Sequence, residues 1–277
     1  MIKRFYQYWT DGREPNWSKL RVLHGWGGVS KEGLYSSICE IIGVDPKSFS
    51  EARDFFEQKR NSELFGMCCY ELMQYRVPQI YDAILMDEAQ DFDKYFFQLC
   101  HKILKPPKRL IWAYDELQSL EDISIPTAID IFGVDKNDVP LVDLDGVYQG
   151  GIEKDFVLHR SYRNPKIILM TAHIFGMGLM RKGGPVQFIP NAGAWEDIGY
   201  KIVDGNLTIG TTVKITRPDE SSPNVIERFV PPQDLVKLAS FKNEEEQLDW
   251  IAEQIESDIK KDNLLPEDIL EPIGFVA

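Results

Sequence analysis

Three groups of residues have side-chain types and spacing suited to phosphate chemistry. Asp87 and Glu88 follow directly on four apolar residues, Ala83-Ile84-Leu85-Met86. In open α/β sheets ligands bind outside the carboxyl ends of the strands. An aspartate there can hold Mg²⁺, directly or through water, and a neighbouring glutamate can orient or deprotonate an attacking water. A bare Asp-Glu pair is commonly only an acidic loop, but the string Asp87-Glu88-Ala89-Gln90-Asp91 is far more specific. Gln118 stands near the end of the next expected strand, where its amide can donate to a phosphate oxygen and accept from water. The pair Tyr162-Arg163 offers an aromatic face for an adenine and a planar guanidinium for a γ-phosphate. Taken singly, a glutamine is more simply read as a solvated loop residue and a Tyr-Arg pair as structural.

These residues need elements to hold them. The run 83–86 reads as a strand buried on both faces. Asp93 then caps a helix whose Phe96, Phe97, Cys100, Ile103 and Leu104 share a face, with Lys102 and Lys105 at its negative end and Pro106-Pro107 as its stop. A second apolar run, 110–113, leads into Tyr114-Asp115-Glu116-Leu117-Gln118-Ser119, so strand, helix and strand form a βαβ unit and imply a parallel sheet. A third strand is expected at 156–158. A helix should follow it, with Asn164 as N-cap, Pro165 first, and Ile167, Ile168 and Phe175 turned inward. Residues 29–75 carry helical periodicity, broken at Asp45-Pro46. Residues 183–240, with alternating runs such as Val186, Phe188 and Val213, Ile215 between Gly and Pro, read as a small β-rich insertion. Asn243-Glu244-Glu245-Glu246 opens an amphipathic helix with Leu248, Ile251, Ala252, Ile255 and Ile259 on one stripe, and the last six residues read as a strand beginning.

In this order the motifs resemble those of UvrD/Rep-type superfamily 1 helicases. Asp87-Glu88-Ala89-Gln90-Asp91 is similar to their Walker B motif, 113–119 to motif III, and Leu158-His159-Arg160-Ser161-Tyr162-Arg163-Asn164 to motif IV. Val22-Leu23-His24-Gly25-Trp26 resembles motif Ib, and 244–269 the resumption of the second RecA-like domain. The resemblance implies an α/β fold: an incomplete RecA-like P-loop NTPase parallel sheet with helices on both faces, plus the β-rich insertion. Residues 1–158 would be part of a first RecA-like domain, and 159–277 the start of a second. It implies ATP and Mg²⁺ as cofactors, Asp87 as the Mg²⁺ residue, Glu88 as catalytic base, Gln118 as γ-phosphate sensor, Tyr162 as adenine stacker and Arg163 as arginine finger. The implied partners are single-stranded DNA, traversed 3′ to 5′, and the remaining helicase segments.

The departures are specific. No Gly-Lys-Ser or Gly-Lys-Thr occurs in the chain, so the phosphate-cradling Walker A loop is missing. Motifs V and VI would lie beyond Ala277. Tyr114 stands where the family usually has glycine, and motif III lacks its base-stacking tryptophan. The expected object is an internal helicase segment with negligible ATPase of its own; the alternative is a catalytically inactive interaction module. A metal-dependent nuclease on Asp87, Glu88 and Asp91 is a weaker third reading, since nuclease carboxylates usually converge from separate elements.

Composition agrees with an ordinary folded chain of about two domains, 43% hydrophobic and 27% charged over 277 residues. A net charge of −13 argues against a basic nucleic-acid-coating module but leaves room for a local cleft. His24 and Trp26, with the basic positions Lys102, Lys105, Lys108 and Arg109, are the candidates for such a single-strand contact, a buried tryptophan and the ordinary lysines of a helix C-terminus being the competing reading. No run approaches a membrane span and no secretory leader is evident. Cys39, Cys68, Cys69 and Cys100, without C-x-x-C spacing, read as reduced packing thiols, and the expected location is the cytoplasm.

Overall fold

The computed structural model describes residues 2–28, 31–115, 126–186, 189, 191–208 and 210–269. The chain divides into two compact units, Met1–Phe156 and Val157–Ala277.

The first unit is mixed α/β. Helix α1 (Ile2–Trp9) buries none of its residues. Helices α2 (Leu34–Ile42), α3 (Phe49–Phe55) and α4 (Leu64–Leu72) follow. Then come strand β1 (Tyr81–Met86), helix α5 (Lys94–Ile103), strand β2 (Leu104–Trp112) and the short α6 (Ala128–Phe132). The βαβ unit is present: β1 pairs with β2 in parallel, Leu85 opposite Ile111 and Met86 opposite Trp112. Ile38, Cys39, Leu64, Cys68, Cys69, Leu99, Cys100 and Ile103 are wholly buried and form the centre of one core. Burial raises these thiols, Cys68 to about 11, so they act as apolar filler and not as nucleophiles.

Helix α5 starts where its sequence dictates. Asp93 accepts a hydrogen bond from the Tyr95 amide at 2.8 Å, satisfying one of the orphan donors of the first turn. Gly66 on α4 makes room for that cap, since a Cβ there would sit 2.6 Å from the Asp93 carboxylate. Helix α5 ends one residue earlier than the apolar pattern suggests, and Leu104 already belongs to β2.

Two expectations are corrected here. The strands are not buried on both faces: Leu85 is 75% and Ile111 59% exposed, whereas Met86 is buried. One face packs toward α5, with the Phe97 and Trp112 rings 5.9 Å apart. The described residues supply no layer over the other face. A short apolar run cannot by itself distinguish one covered face from two. The expected strand at 156–158 does not form. Phe156, Val157 and Leu158 are exposed and irregular, with no ladder partner among the described residues to satisfy an extended backbone.

The second unit contains α7 (Lys166–Gly176), α8 (Ala192–Asp197), strands β3 (Lys201–Gly205) and β4 (Val213–Thr216), the short α9 (Pro232–Leu235) and α10 (Glu244–Lys261). β3 and β4 form an antiparallel pair, so the segment expected to be β-rich is one hairpin among short helices and 3-10 turns. Pro165 is extended and α7 starts one residue later than expected, at Lys166. Phe175 faces outward, 61% exposed. Asn243 caps α10 by accepting from the Glu246 amide at 2.9 Å. Buried residues here are few: Met177, Trp195, Tyr200, Arg217, Ser221 and Ser222 are among them. No helix among the described residues is long and apolar enough to cross a membrane.

Candidate functional site

The acid pair is an excursion pinned on both sides by one residue of the neighbouring strand. The Ala113 amide donates to the Met86 carbonyl at 2.9 Å, and the Ala113 carbonyl accepts from the Ala89 amide, also at 2.9 Å. Asp87 and Glu88 lie between these two bonds and are both exposed. To return the chain so quickly, Glu88 adopts φ 50° and ψ 46°, a left-handed conformation that costs a non-glycine residue about 1 kcal/mol. Ala89, buried at 3% exposure, then opens a 3-10 turn through Asp91. Strain of this kind persists only where the surroundings over-determine it, and the two Ala113 bonds do so.

Gln90 joins the pair to the end of β2. Its Nε2 donates to Glu88 Oε2 at 2.7 Å, and its Oε1 accepts from the Asp115 amide at 3.1 Å. Glu88 and the Asp115 backbone are therefore held together across the ends of two parallel strands. Gln90 and Asp115 were in the motifs but not singled out as site residues. The available signal was Gln90 itself, a short amide with a donor and an acceptor two residues from a glutamate. Gln118 lies outside the described residues.

The second candidate segment, 159–163, belongs to the other unit. Tyr162 is 68% exposed and Arg163 is exposed. Their backbone is fixed by the stretch 217–227: the Ser161 amide donates to the Ser221 carbonyl at 2.9 Å, and Asn224 Nδ2 donates to the Arg163 carbonyl at 2.9 Å. Arg217, 3% exposed, organises this stretch. Its Nη2 donates to the carbonyls of His159 and Ser221, both at 2.8 Å, its Nε to Ser222 Oγ at 2.7 Å, and its Nη1 to the Ile198 carbonyl. Its guanidinium lies over the Tyr200 ring, 5.2 Å from the centroid. Burial draws Arg217 below the usual arginine range and pushes the Tyr200 hydroxyl up to about 12. Among the described residues no carboxylate pairs with Arg217; carbonyl and hydroxyl oxygens do that work. Beyond Arg163, the Ile167 amide donates to Glu227 at 2.9 Å and Lys166 pairs with Asp219 at 2.6 Å.

His24 and Trp26 form part of a backbone cap. The carbonyls of His24, Gly25 and Trp26 accept from the amides of Leu34, Tyr35 and Ser36 at 2.8, 3.0 and 3.2 Å, satisfying the free donors at the start of α2. This requires Gly27 and Gly33 to touch, for a Cβ on Gly33 would lie 2.2 Å from the Gly27 nitrogen. The Trp26 indole donates to the Lys47 carbonyl at 2.8 Å and stacks on Phe65, centroids 5.1 Å apart. Its ring is thus spent on packing, while the His24 side chain is exposed. The lysines at the end of α5 and on β2 have local tasks as well. Lys102 donates to the Met73 carbonyl, Lys105 pairs with Asp82 at 3.1 Å, and Lys108 reaches the His101 carbonyl at 2.9 Å.

The acid loop suits a hydrated Mg²⁺. That ion keeps several waters and takes one or two carboxylates plus substrate phosphates, and Asp87 and Glu88 are exposed at a strand end. Among the described residues no group of three or more His, Cys, Asp or Glu could cage a metal alone. Comparisons with protein-family models, curated proteins and solved structures return no match.

Proposed function

We propose that this chain is a segment of an ATP-dependent DNA helicase or translocase of the UvrD/Rep-like superfamily 1 type. The observation that carries the reading is the acid loop. Asp87 and Glu88 project from the carboxyl end of a parallel strand, between two Ala113 bonds, with Gln90 tying Glu88 to the adjoining strand end. This is the position at which open α/β sheets take ligands.

In this reading Asp87 holds Mg²⁺, which supplies charge neutralisation of the β- and γ-phosphates when bound. Glu88 accepts a proton from the water that attacks the terminal phosphorus; the bond to the ADP oxygen breaks and ADP and phosphate leave. Gln90 limits the rotamers open to Glu88, so the base is oriented before substrate arrives. Tyr162 and Arg163 supply the adenine face and the guanidinium, on a backbone fixed through Arg217. Gln118 remains the γ-phosphate sensor of the proposal. Single-stranded DNA is the track.

Lacking Gly-Lys-Ser or Gly-Lys-Thr, the 277-residue chain is expected to turn over ATP negligibly on its own, because backbone cradling of the phosphates provides most of their binding. The same absence favours the second reading, an inactive helicase-like interaction module. The reading frame upstream of Met1 in the gene separates them. An in-frame Gly-x-x-x-x-Gly-Lys-Thr supports the motor, and a genuine translation start at Met1 supports the module.

A further inference from the structure

Arg217 fixes the backbone of 159–163, and a buried histidine–tyrosine pair stands behind Arg217 in turn. Helix α7 begins three residues after Arg163, at Lys166. Roughly two turns along it, His173 brings its Nδ1 to 2.8 Å from the Tyr200 hydroxyl. Tyr200 is 3% exposed, and the Trp195 ring stands edge to face with its own, centroids 5.3 Å apart. The Arg217 guanidinium lies over the same ring. Burial keeps the hydroxyl protonated at neutral pH and takes it out of water, so it must find its hydrogen bond within the protein. His173 supplies that bond.

The surrounding backbone leaves little play. Gly199, at φ 89°, passes so close that a Cβ there would lie 2.4 Å from the His159 carbonyl oxygen and 2.9 Å from Arg217 Nη1. From α7 the contacts run through Tyr200 to Arg217, and from Arg217 to the carbonyls of His159 and Ser221. The Ser221 carbonyl accepts the Ser161 amide as well. The helix that follows the segment in sequence thus returns to it through side chains. An apolar side chain at 173 would fill the same space without orienting the Tyr200 hydroxyl, because only a directed bond specifies orientation.

We infer that His173 and Tyr200 are positioning residues for Tyr162 and Arg163: they fix Arg217, and through it the backbone that presents those two side chains. The catalytic consequence rests on the proposed motor; the positioning rests on the buried chain of contacts. The test is amide exchange at Ser161 in the 277-residue chain, with Ala113 of the other unit as internal reference. His173→Phe keeps bulk and loses the bond, and Tyr200→Phe keeps the ring and loses the hydroxyl. Each should speed Ser161 exchange about fivefold, the usual worth of one hydrogen bond, and the double variant should add nothing, since both remove the same link. His173→Asn, whose side-chain amide reaches the place of Nδ1, should stay within about twofold of the wild type. In the natural gene product, both Phe substitutions should lower kcat/KM for ATP about tenfold or more, and His173→Asn should restore it. Should His173→Phe not fold, Tyr200→Phe and His173→Asn decide by the same comparison. Unchanged Ser161 exchange in the Phe variants, exchange as fast in His173→Asn as in His173→Phe, or additive losses in the double variant would reduce the pair to packing and overturn the inference. So would ATP turnover that neither Phe substitution moves while Glu88→Gln abolishes it. Hydrolysis indifferent to Glu88→Gln marks failure of the motor instead, whatever Ser161 does.

Discussion

Around Asp87 and Glu88 the chain is held by a backbone ladder laid over an apolar core; around Tyr162 and Arg163 it is held by a buried guanidinium that donates hydrogen bonds to three carbonyls. The first arrangement draws its stability from close-packed residues such as Leu99 and Ile103 on α5 and holds Glu88 in a left-handed conformation. The second has few buried apolar side chains and depends on the hydrogen bonds of Arg217. A core is indifferent to which carbonyl goes where, whereas a guanidinium with fixed donor directions specifies the path of each strand of chain it touches. Apolar burial is enough to stabilise a strand end; placing an irregular segment needs directed bonds.

Substitutions in the two scaffolds should separate these cases. Arg217→Ala takes the guanidinium donor from the carbonyls of His159, Ile198 and Ser221, of which Ser221 keeps only the Ser161 amide, and is expected to cost about 3 kcal/mol or more, with amide exchange rising first at Ser161. Arg217→Met keeps the volume and should be nearly as damaging. If it unfolds in urea like the wild type, the hub is mere packing and the contrast fails. Leu99→Ala should cost about 3 kcal/mol through its cavity, and exchange at Ala89 and Ala113 should rise while Ser161 stays protected.

Gly66→Ala is a finer probe of how the acid loop is joined to the core. Helix propensity alone would favour alanine by about 1 kcal/mol, but the new methyl meets the Asp93 carboxylate. A net loss of about 1–2 kcal/mol is expected in denaturant melts, and a gain would show that the α5 cap is not pressed against α4.

The smallest effect concerns pH. The Thr127 hydroxyl and amide both donate to Asp130, holding its carboxyl below the usual aspartate range. The folded value is depressed, so this stabilisation is present above the ordinary carboxylate value and is lost as pH falls through the lowered one. Thr127→Val should raise the Asp130 midpoint in an NMR titration; an unmoved midpoint contradicts the cap.

Local signals were legible in the sequence wherever a residue acts on its neighbours. Asp93 and Asn243 announce their helices, and strand, helix and strand announce the parallel pair. Nonlocal coverage was not legible. Nothing in Ala83-Ile84-Leu85-Met86 says that Leu85 meets solvent, and nothing in 156–158 says that a pairing partner is missing, because both depend on what packs against them. The acid pair could be read from its string, but the Gln90 bridge to Asp115 could not, since it joins chain positions 25 residues apart. Arg217 gave no sign at all, as a buried arginine without a carboxylate has no sequence pattern. Trp26 and the α1 aromatics look alike in sequence and differ only in whether Phe65 and Lys47 engage the ring.

The most direct test of the motor is single-stranded-DNA-stimulated ATP hydrolysis by the natural gene product that carries these residues, compared with its Glu88→Gln variant. The account predicts that Glu88→Gln retains nucleotide binding and loses turnover by about 10²-fold or more, the usual contribution of a general base. Hydrolysis at the unaltered rate in Glu88→Gln would contradict it.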